Sequence, residues 1–279
     1  MLHQAFSTAN IKLQEKTPLI HCLTNNVTIN DAANAILAVG GSPIMSEHPR
    51  ETADVTGNAQ ALVINIGNFI ESKLESIFIS GQVANERKLP IVFDPVGVTS
   101  SRLRKHLSER IIVEVKPTII KGNMSEIKAL ANIASTAAGV DVALSDLTNE
   151  QTLANNSQIA YNLAKQLNCV IVASGAIDIV ASPDAVYSLH NGTAMLAKIT
   201  GTGCISGMLM GTYASVLPPL QAAILGISVL NIAGELAQEY VSDNQAGLGT
   251  FKVKLFDYLS TMNAQVLQER GRVQCINYI

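Results

Sequence analysis

Short runs of consecutive apolar residues alternate along this chain with longer segments whose apolar positions recur every three or four residues. Leu19-Ile20-His21, Pro43-Ile44-Met45, Leu62-Val63-Ile64-Asn65-Ile66, Ile91-Val92-Phe93, Ile119-Ile120 and Val170-Ile171-Val172 read as strands. Near-continuous apolar strands are expected when helices cover both faces of a mostly parallel sheet. Between them, residues 27–39, 71–88, 102–115 and 157–167 carry helical spacing. After Ala173 the pattern changes: Ile179-Val180, Val186-Tyr187-Ser188-Leu189 and Leu196-Ala197-Lys198-Ile199 are separated only by turn signals such as Pro183-Asp184 and Asn191-Gly192. These three runs predict antiparallel strands at a sheet edge. No repeat or linker interrupts the pattern, which predicts a single α/β domain over 1–279.

No charged residue lies between Lys198 and Glu235. Pro218 and Pro219 divide that stretch into pieces shorter than the ~20 apolar residues of a spanning helix. Two buried core helices, and no membrane association, are therefore expected. With 279 residues, 48% apolar and 15% charged, the chain can bury a large core. A net charge of -3 without a basic run gives no electrostatic footprint for nucleic acid. Cys22, Cys169, Cys204 and Cys275 are too scattered for a zinc site or disulfide framework. Together with an N-terminus unlike a secretory signal, they point to the reduced cytoplasm.

Candidate chemistry gathers at strand ends. Thr200-Gly201-Thr202-Gly203-Cys204 follows an apolar run and opens the uncharged region. Glycines there let backbone N–H groups and the positive end of a helix point at a phosphate, although a turn needed only for packing looks the same. Gly201, Gly203 and Gly207 miss the dinucleotide-binding spacing by one residue, and there is no P-loop string. Asp94 ends an apolar strand before Pro95-Val96-Gly97 and can hold hydrated Mg²⁺ or cap the turn. Lys121-Gly122-Asn123-Met124-Ser125-Glu126 offers a cation, an amide and a carboxylate, or a capping box from Asn123 to Glu126. Ser174-Gly175 is a third strand-end turn.

Taken together, Pro18 to Asn25, Ser42 to Met45, Leu62 to Gly67, Asp94 to Gly97, Gly122-Asn123-x-x-Glu126, His190-Asn191-Gly192 and Thr200 to Cys204 resemble the hydroxyethylthiazole kinase family in order and spacing, from about Thr17 to Gln268. Cys204 stands where other ribokinase-like enzymes usually carry Asp. The resemblance implies a ribokinase-like fold and phosphorylation of the primary alcohol of 4-methyl-5-(2-hydroxyethyl)thiazole by ATP and Mg²⁺, in thiamine salvage. It also implies a homotrimer with active sites between subunits. Asn25, Val27, Met45 and Gly67 then belong to the thiazole side, with Gly201 against the hydroxyethyl arm. Asp94 and Glu126 take Mg²⁺, and Lys121, Asn123 and Ser174 the nucleotide.

For phosphoryl transfer, Gly201, Thr202, Gly203 and Cys204 supply backbone donors. Cys204 acts as base, its thiol pKa lowered by the helix dipole, or only lines the pocket. Lys121 replaces the Arg of some relatives, Ser174 replaces a common Thr, and Gly175-Ala176-Ile177 lacks an acidic residue expected after the glycine. A hydroxymethylpyrimidine-type kinase and a non-catalytic paralogue are the competing readings.

Overall fold

The computed structural model describes residues 2–132 and 146–276. Among the described residues, nine strands form one sheet in the order β2-β1-β3-β4-β5-β6-β7-β8-β9. The strands are β1 (Leu19–Leu23), β2 (Ser42–Ile44), β3 (Ala61–Asn65), β4 (Ile91–Asp94), β5 (Ile119–Asn123), β6 (Val170–Ser174), β7 (Asp178–Ala181), β8 (Val186–Leu189) and β9 (Val273–Ile276). β1 to β6 run parallel, and β7 to β9 pair antiparallel at one edge.

Strand side chains alternate between two cores, as a period of two requires. Val63, Val92, Ile119 and Val172 face one cluster, and Leu62, Ile64, Phe93, Ile120 and Ile171 the other. The first is covered by α1 (Leu2–Lys16), α2 (Ile29–Ala38), α8 (Thr202–Ala214), α9 (Pro219–Asp243) and α10 (Leu248–Ser260). The second is covered by α4 (Glu71–Glu86), α5 (Arg102–Val115), α6 (Met124–Leu130) and α7 (Leu153–Leu167). Short helices α3 (Thr52–Asn58) and α11 (Ala264–Arg270) complete the set among the described residues.

Two expectations are corrected. Leu196-Ala197-Lys198 is a turn of 3-10 helix, not a strand. Thr202 Oγ1 donates to Leu196 O at 2.9 Å, folding this segment back on the start of α8. The antiparallel edge is completed instead by β9, pairing Val186–Leu189 with Val273–Ile276. The prolines do divide the uncharged stretch, but Pro219 opens α9, which continues past Glu235 to 25 residues. Pro suits a first helical turn because its missing N–H has no partner there. By length and composition α9 meets the criterion for a spanning helix, yet 78% of its most apolar window is buried within the protein. It is a core helix packed along α8 and α10.

Candidate active site

The topology fixes where chemistry can gather. From β1 the chain moves outward to β2, then crosses back to β3 on the other side of β1. The carboxyl ends of β1 and β3 therefore flank a topological switch point, where open α/β sheets bind ligands. Asn25 follows β1, Asn65 ends β3, Asp94 ends β4, Asn123 ends β5 and Ser174 ends β6.

The glycine-rich turn delivers α8 to these ends. Gly201 caps the helix at φ +92°, a left-handed conformation that favours glycine. A Cβ there would also come within 2.4 Å of Thr28 Cγ2. The first helical bond runs from Ile205 N–H to Gly201 O at 2.9 Å. Helix geometry leaves the amides of Thr202, Gly203 and Cys204 without intrahelical acceptors. Gly203 is exposed and Cys204 half-buried, so the turn opens to solvent there, while Thr202 is buried. A Cβ at Gly203 would lie 3.2 Å from Lys121 Nζ. The turn, the β4 end and the β5 end thus converge.

Lys121 Nζ stands 3.7 Å from Asp94 Oδ2, both side chains buried. Burial opposes the ammonium, but Asp94, Glu126, Cys204 and Asp178 outweigh it and raise the Lys121 pKa. The carboxylates respond in the same sense. Burial raises Asp94 despite Lys121 and a 2.9 Å hydrogen bond from Asn65. Burial, then Asp94, pushes Glu126 up to about 7. Burial also pushes Asp178 up to about 6. Three carboxylates around one ammonium leave the centre short of positive charge. In addition, Asp94 Oδ1 is buried with no hydrogen-bond partner. Buried polar atoms are nearly always satisfied, so this oxygen has acceptor capacity left for a further partner.

Glu126 accepts from Gly97 N–H and Asn123 N–H, each at 2.8 Å. Asn123 Oδ1 accepts from Glu126 N–H at 2.9 Å, completing a capping box. Sequence left capping and ligation open for this pair; capping is realised, and it ties the β4 and β5 loops together. Cys204 does not show the lowered thiol pKa expected of it. Burial, then Asp94, raises it, outweighing Lys121 and hydrogen bonds from Thr28 and Asn25. A helix dipole gives up to ~2 kcal/mol even in favourable geometry, while burial can move a group by ~3–5 pKa units.

Asn25 Nδ2 and Asn65 Nδ2 lie 3.4 and 3.2 Å from Cys204 Sγ. Asn25 Oδ1 accepts from the amides of Val27 and Thr28, each at 3.1 Å, shaping the loop after β1. Val27 is 71% exposed beside it, and Met45 is half-buried against the first core cluster. Gly67 N–H donates to Asn65 Oδ1 at 2.9 Å. Ser174 Oγ donates to Gly122 O at 3.3 Å on the opposite side of Lys121.

Beyond Ser174 lies a groove of about 560 Å³ lined by Ser174, Gly175, Thr202, Gly203, Ile227 and Leu230, among others. It joins the glycine-rich turn to an apolar wall, a shape that can take a nucleotide. Among the described residues, a groove of about 630 Å³ between α1 and β9 is lined by no carboxylate, lysine or arginine side chain and carries no comparable chemistry.

Four further residues build the site. Asn65 reads in sequence as part of an apolar strand and of the Leu62 to Gly67 run, and a lone amide at the strand's carboxyl end is the available signal. Asp178 opens β7 and accepts from Gly175 N–H and Asn231 Nδ2 at 2.8 and 2.7 Å. It lies three residues after Gly175, just past the triplet that lacked an acid. Arg104 donates to the carbonyls of Ile66, Gly67 and Val96, stapling the loops after β3 and β4. Lys73, buried, donates to Thr24 O and pairs with Glu47, each at 2.8 Å. Neither cation differs in sequence from an ordinary helix-surface residue.

The sequence profile described as the hydroxyethylthiazole kinase family matches residues 11–265. The chain is 43% identical over 267 residues to hydroxyethylthiazole kinase 1 of Methanosphaera stadtmanae, spanning 94% of each chain. It is 41% identical over 263 residues to the hydroxyethylthiazole kinase of Alkaliphilus oremlandii, again 94% of each. Its backbone matches the solved hydroxyethylthiazole kinase of Pyrococcus horikoshii OT3 with a TM-score of 0.85 at 30% identity, over 98% of this chain and 100% of that one. A ribokinase-like superfamily protein of Enterococcus faecalis V583 shares the fold at 13% identity, with a TM-score of 0.62 over 87% and 85% of the two chains. The fold is ribokinase-like.

Proposed function

The chain belongs to the hydroxyethylthiazole kinase family and is a phosphotransferase, and we propose that it transfers the γ-phosphoryl group of ATP, with Mg²⁺, to the primary alcohol of 4-methyl-5-(2-hydroxyethyl)thiazole. The observation that carries this reading is the convergence of the exposed Gly203 turn, Lys121 and Asp94 at one end of the sheet. Phosphoryl transfer needs in-line positioning and neutralised charge more than covalent work by the protein, and these groups supply both.

The amides of Thr202, Gly203 and Cys204 receive the phosphoryl oxygens at the positive end of α8. Lys121 holds its proton through the surrounding carboxylates and remains a cation there. The orphaned Asp94 Oδ1 and the deficit of positive charge fit a divalent cation, with Asp94 and Glu126 holding it directly or through water. When bound, Mg²⁺ neutralises phosphate charge that one ammonium cannot. Ser174 and the apolar groove behind it take the nucleotide, and Asn123 keeps Glu126 in place.

The thiazole ring belongs beside Asn25, Val27, Met45 and Gly67, with its hydroxyethyl arm running past Gly201 toward Cys204. Cys204 meets the acceptor hydroxyl as a protonated thiol in the resting site, because burial and Asp94 hold its proton. In a loose transition state the hydroxyl proton leaves late, so a thiol of raised pKa is compatible with turnover. The exposed apolar Val27 and Ile70 near this side support a homotrimer whose neighbouring subunit completes the pocket. We place this enzyme in the cytoplasm as a single kinase domain over 1–279, serving thiamine salvage.

The test is ADP release with the thiazole alcohol and with the hydroxymethylpyrimidine alcohol. Turnover that needs Mg²⁺ and prefers the thiazole is expected. Preference for the pyrimidine overturns the substrate, and binding without turnover overturns the activity.

A further inference from the structure

Asn65 is completely buried at the end of an otherwise apolar β3. Its amide meets a partner at each of four positions. Nδ2 donates to Asp94 Oδ2 at 2.9 Å and to Cys204 Sγ at 3.2 Å. Oδ1 accepts from Asn25 Nδ2 and Gly67 N–H, each at 2.9 Å. Two donors and two acceptor sites are the full capacity of a carboxamide. A flipped amide would set its oxygen against the Asp94 carboxylate and its NH₂ against two other donors. The orientation is therefore dictated by the partners.

That one orientation has two consequences. It occupies Asp94 Oδ2 and leaves Oδ1 as the oxygen without a partner. It also directs an N–H at the Cys204 sulfur, beside the second N–H from Asn25. We propose that Asn65 is a positioning residue that locks the metal-side carboxylate and the acceptor-side thiol into one geometry, so that it governs the transfer step without touching either substrate. This inference rests on the kinase reading above. It assigns to the β3 amide a role distinct from space filling: in a merely structural role its donors and its acceptors matter alike, whereas here the two donations matter most.

Asn65→Asp separates these cases. The isosteric side chain still accepts from Asn25 and Gly67 but loses at least one of the two donations: ionised it donates to neither Asp94 nor Cys204, and with a proton shared with Asp94 it donates to that oxygen alone. We expect kcat to fall ~10²-fold, the cost of an ångström-scale misplacement, with the KM values for ATP and thiazole alcohol little changed. Asn65→Ser, which cannot span both partners, gives the same kcat-weighted loss and serves if the Asp variant does not fold. In a double-mutant cycle with Cys204→Ala, the two losses are expected to be less than additive, because removing the sulfur removes one of the two atoms that Asn65 positions. A folded Asn65 variant with wild-type kcat, a loss expressed wholly in KM, or strict additivity in the cycle overturns the proposal. Absence of turnover in the wild-type chain instead removes the kinase reading on which it rests.

Discussion

The two flanks of Lys121 are built differently. On the β1–β3–β4 flank, buried Asn25, Asn65 and Asp94 are cross-linked by hydrogen bonds of 2.9 Å, and Arg104 staples the surrounding loops. On the β6–β7 flank, Ser174 is half-buried, Gly175 and Ala176 are exposed, and the groove beyond is mostly apolar. The first flank is pre-organised for a reaction that tolerates little displacement. On the proposed reading, the second admits the nucleotide and releases it. Damage on the first flank should therefore appear in kcat, and damage on the second in the KM for ATP.

Asp94→Asn should be the severest test of that contrast. It removes the carboxylate but keeps the volume, and kcat should drop ~10³-fold. Mg²⁺ titration of the residual activity should shift to higher concentration, and an unchanged titration removes Asp94 from the metal site. Gly201→Ala follows. It imposes a side chain at φ +92° against Thr28 and should destabilise the protein by about 2–4 kcal/mol in urea unfolding. Wild-type stability would show that the turn is relaxed.

Cys204→Asp should retain or raise turnover, because Asn25 and Asn65 already direct N–H donors at that position and a carboxylate is the stronger base. Loss of turnover with the fold intact contradicts a base role for Cys204. On the other flank, Ser174→Ala should have the smallest effect on activity. It should raise the KM for ATP by less than ~10-fold, about one hydrogen bond, and leave kcat alone.

Titration of the centre sharpens the same contrast. Glu126 is raised from its usual 4.5 to about 7. The folded state therefore binds more protons than the unfolded state between those values, and the contribution to stability falls as pH rises through about 7. A cation at the centre offsets that loss. The increase in Tm on adding Mg²⁺ should be larger at about pH 8 than at about pH 5.5. A pH-independent increase would place the metal away from Glu126.

The parallel strands were legible because burial on both faces writes each one as an apolar run, and Ile91-Val92-Phe93 and Val170-Ile171-Val172 sit where that rule puts them. Leu196 to Ile199 obeys the same rule locally and misleads. Leu196 packs instead against Gly234 of α9, a tertiary contact invisible in a four-residue run. β9 escaped because its burial is only partial. At the candidate site, strand-end motifs pointed to Asp94, Lys121 and the glycine turn, which the topology brings together. The raised Cys204 thiol was not legible, since its cause is burial beside Asp94, 110 residues away in sequence. Asn65 was hidden for a related reason: its importance lies in partners drawn from the loop after β1, from β4 and from α8.

The most direct measurement is a crystal structure with the thiazole alcohol and a non-hydrolysable ATP analogue. The account predicts the γ-phosphoryl group on the amides of Gly203 and Cys204, with the thiazole hydroxyl between it and the Cys204 sulfur. A phosphoryl group bound elsewhere, or a thiazole on the Ser174 side of Lys121, would contradict it.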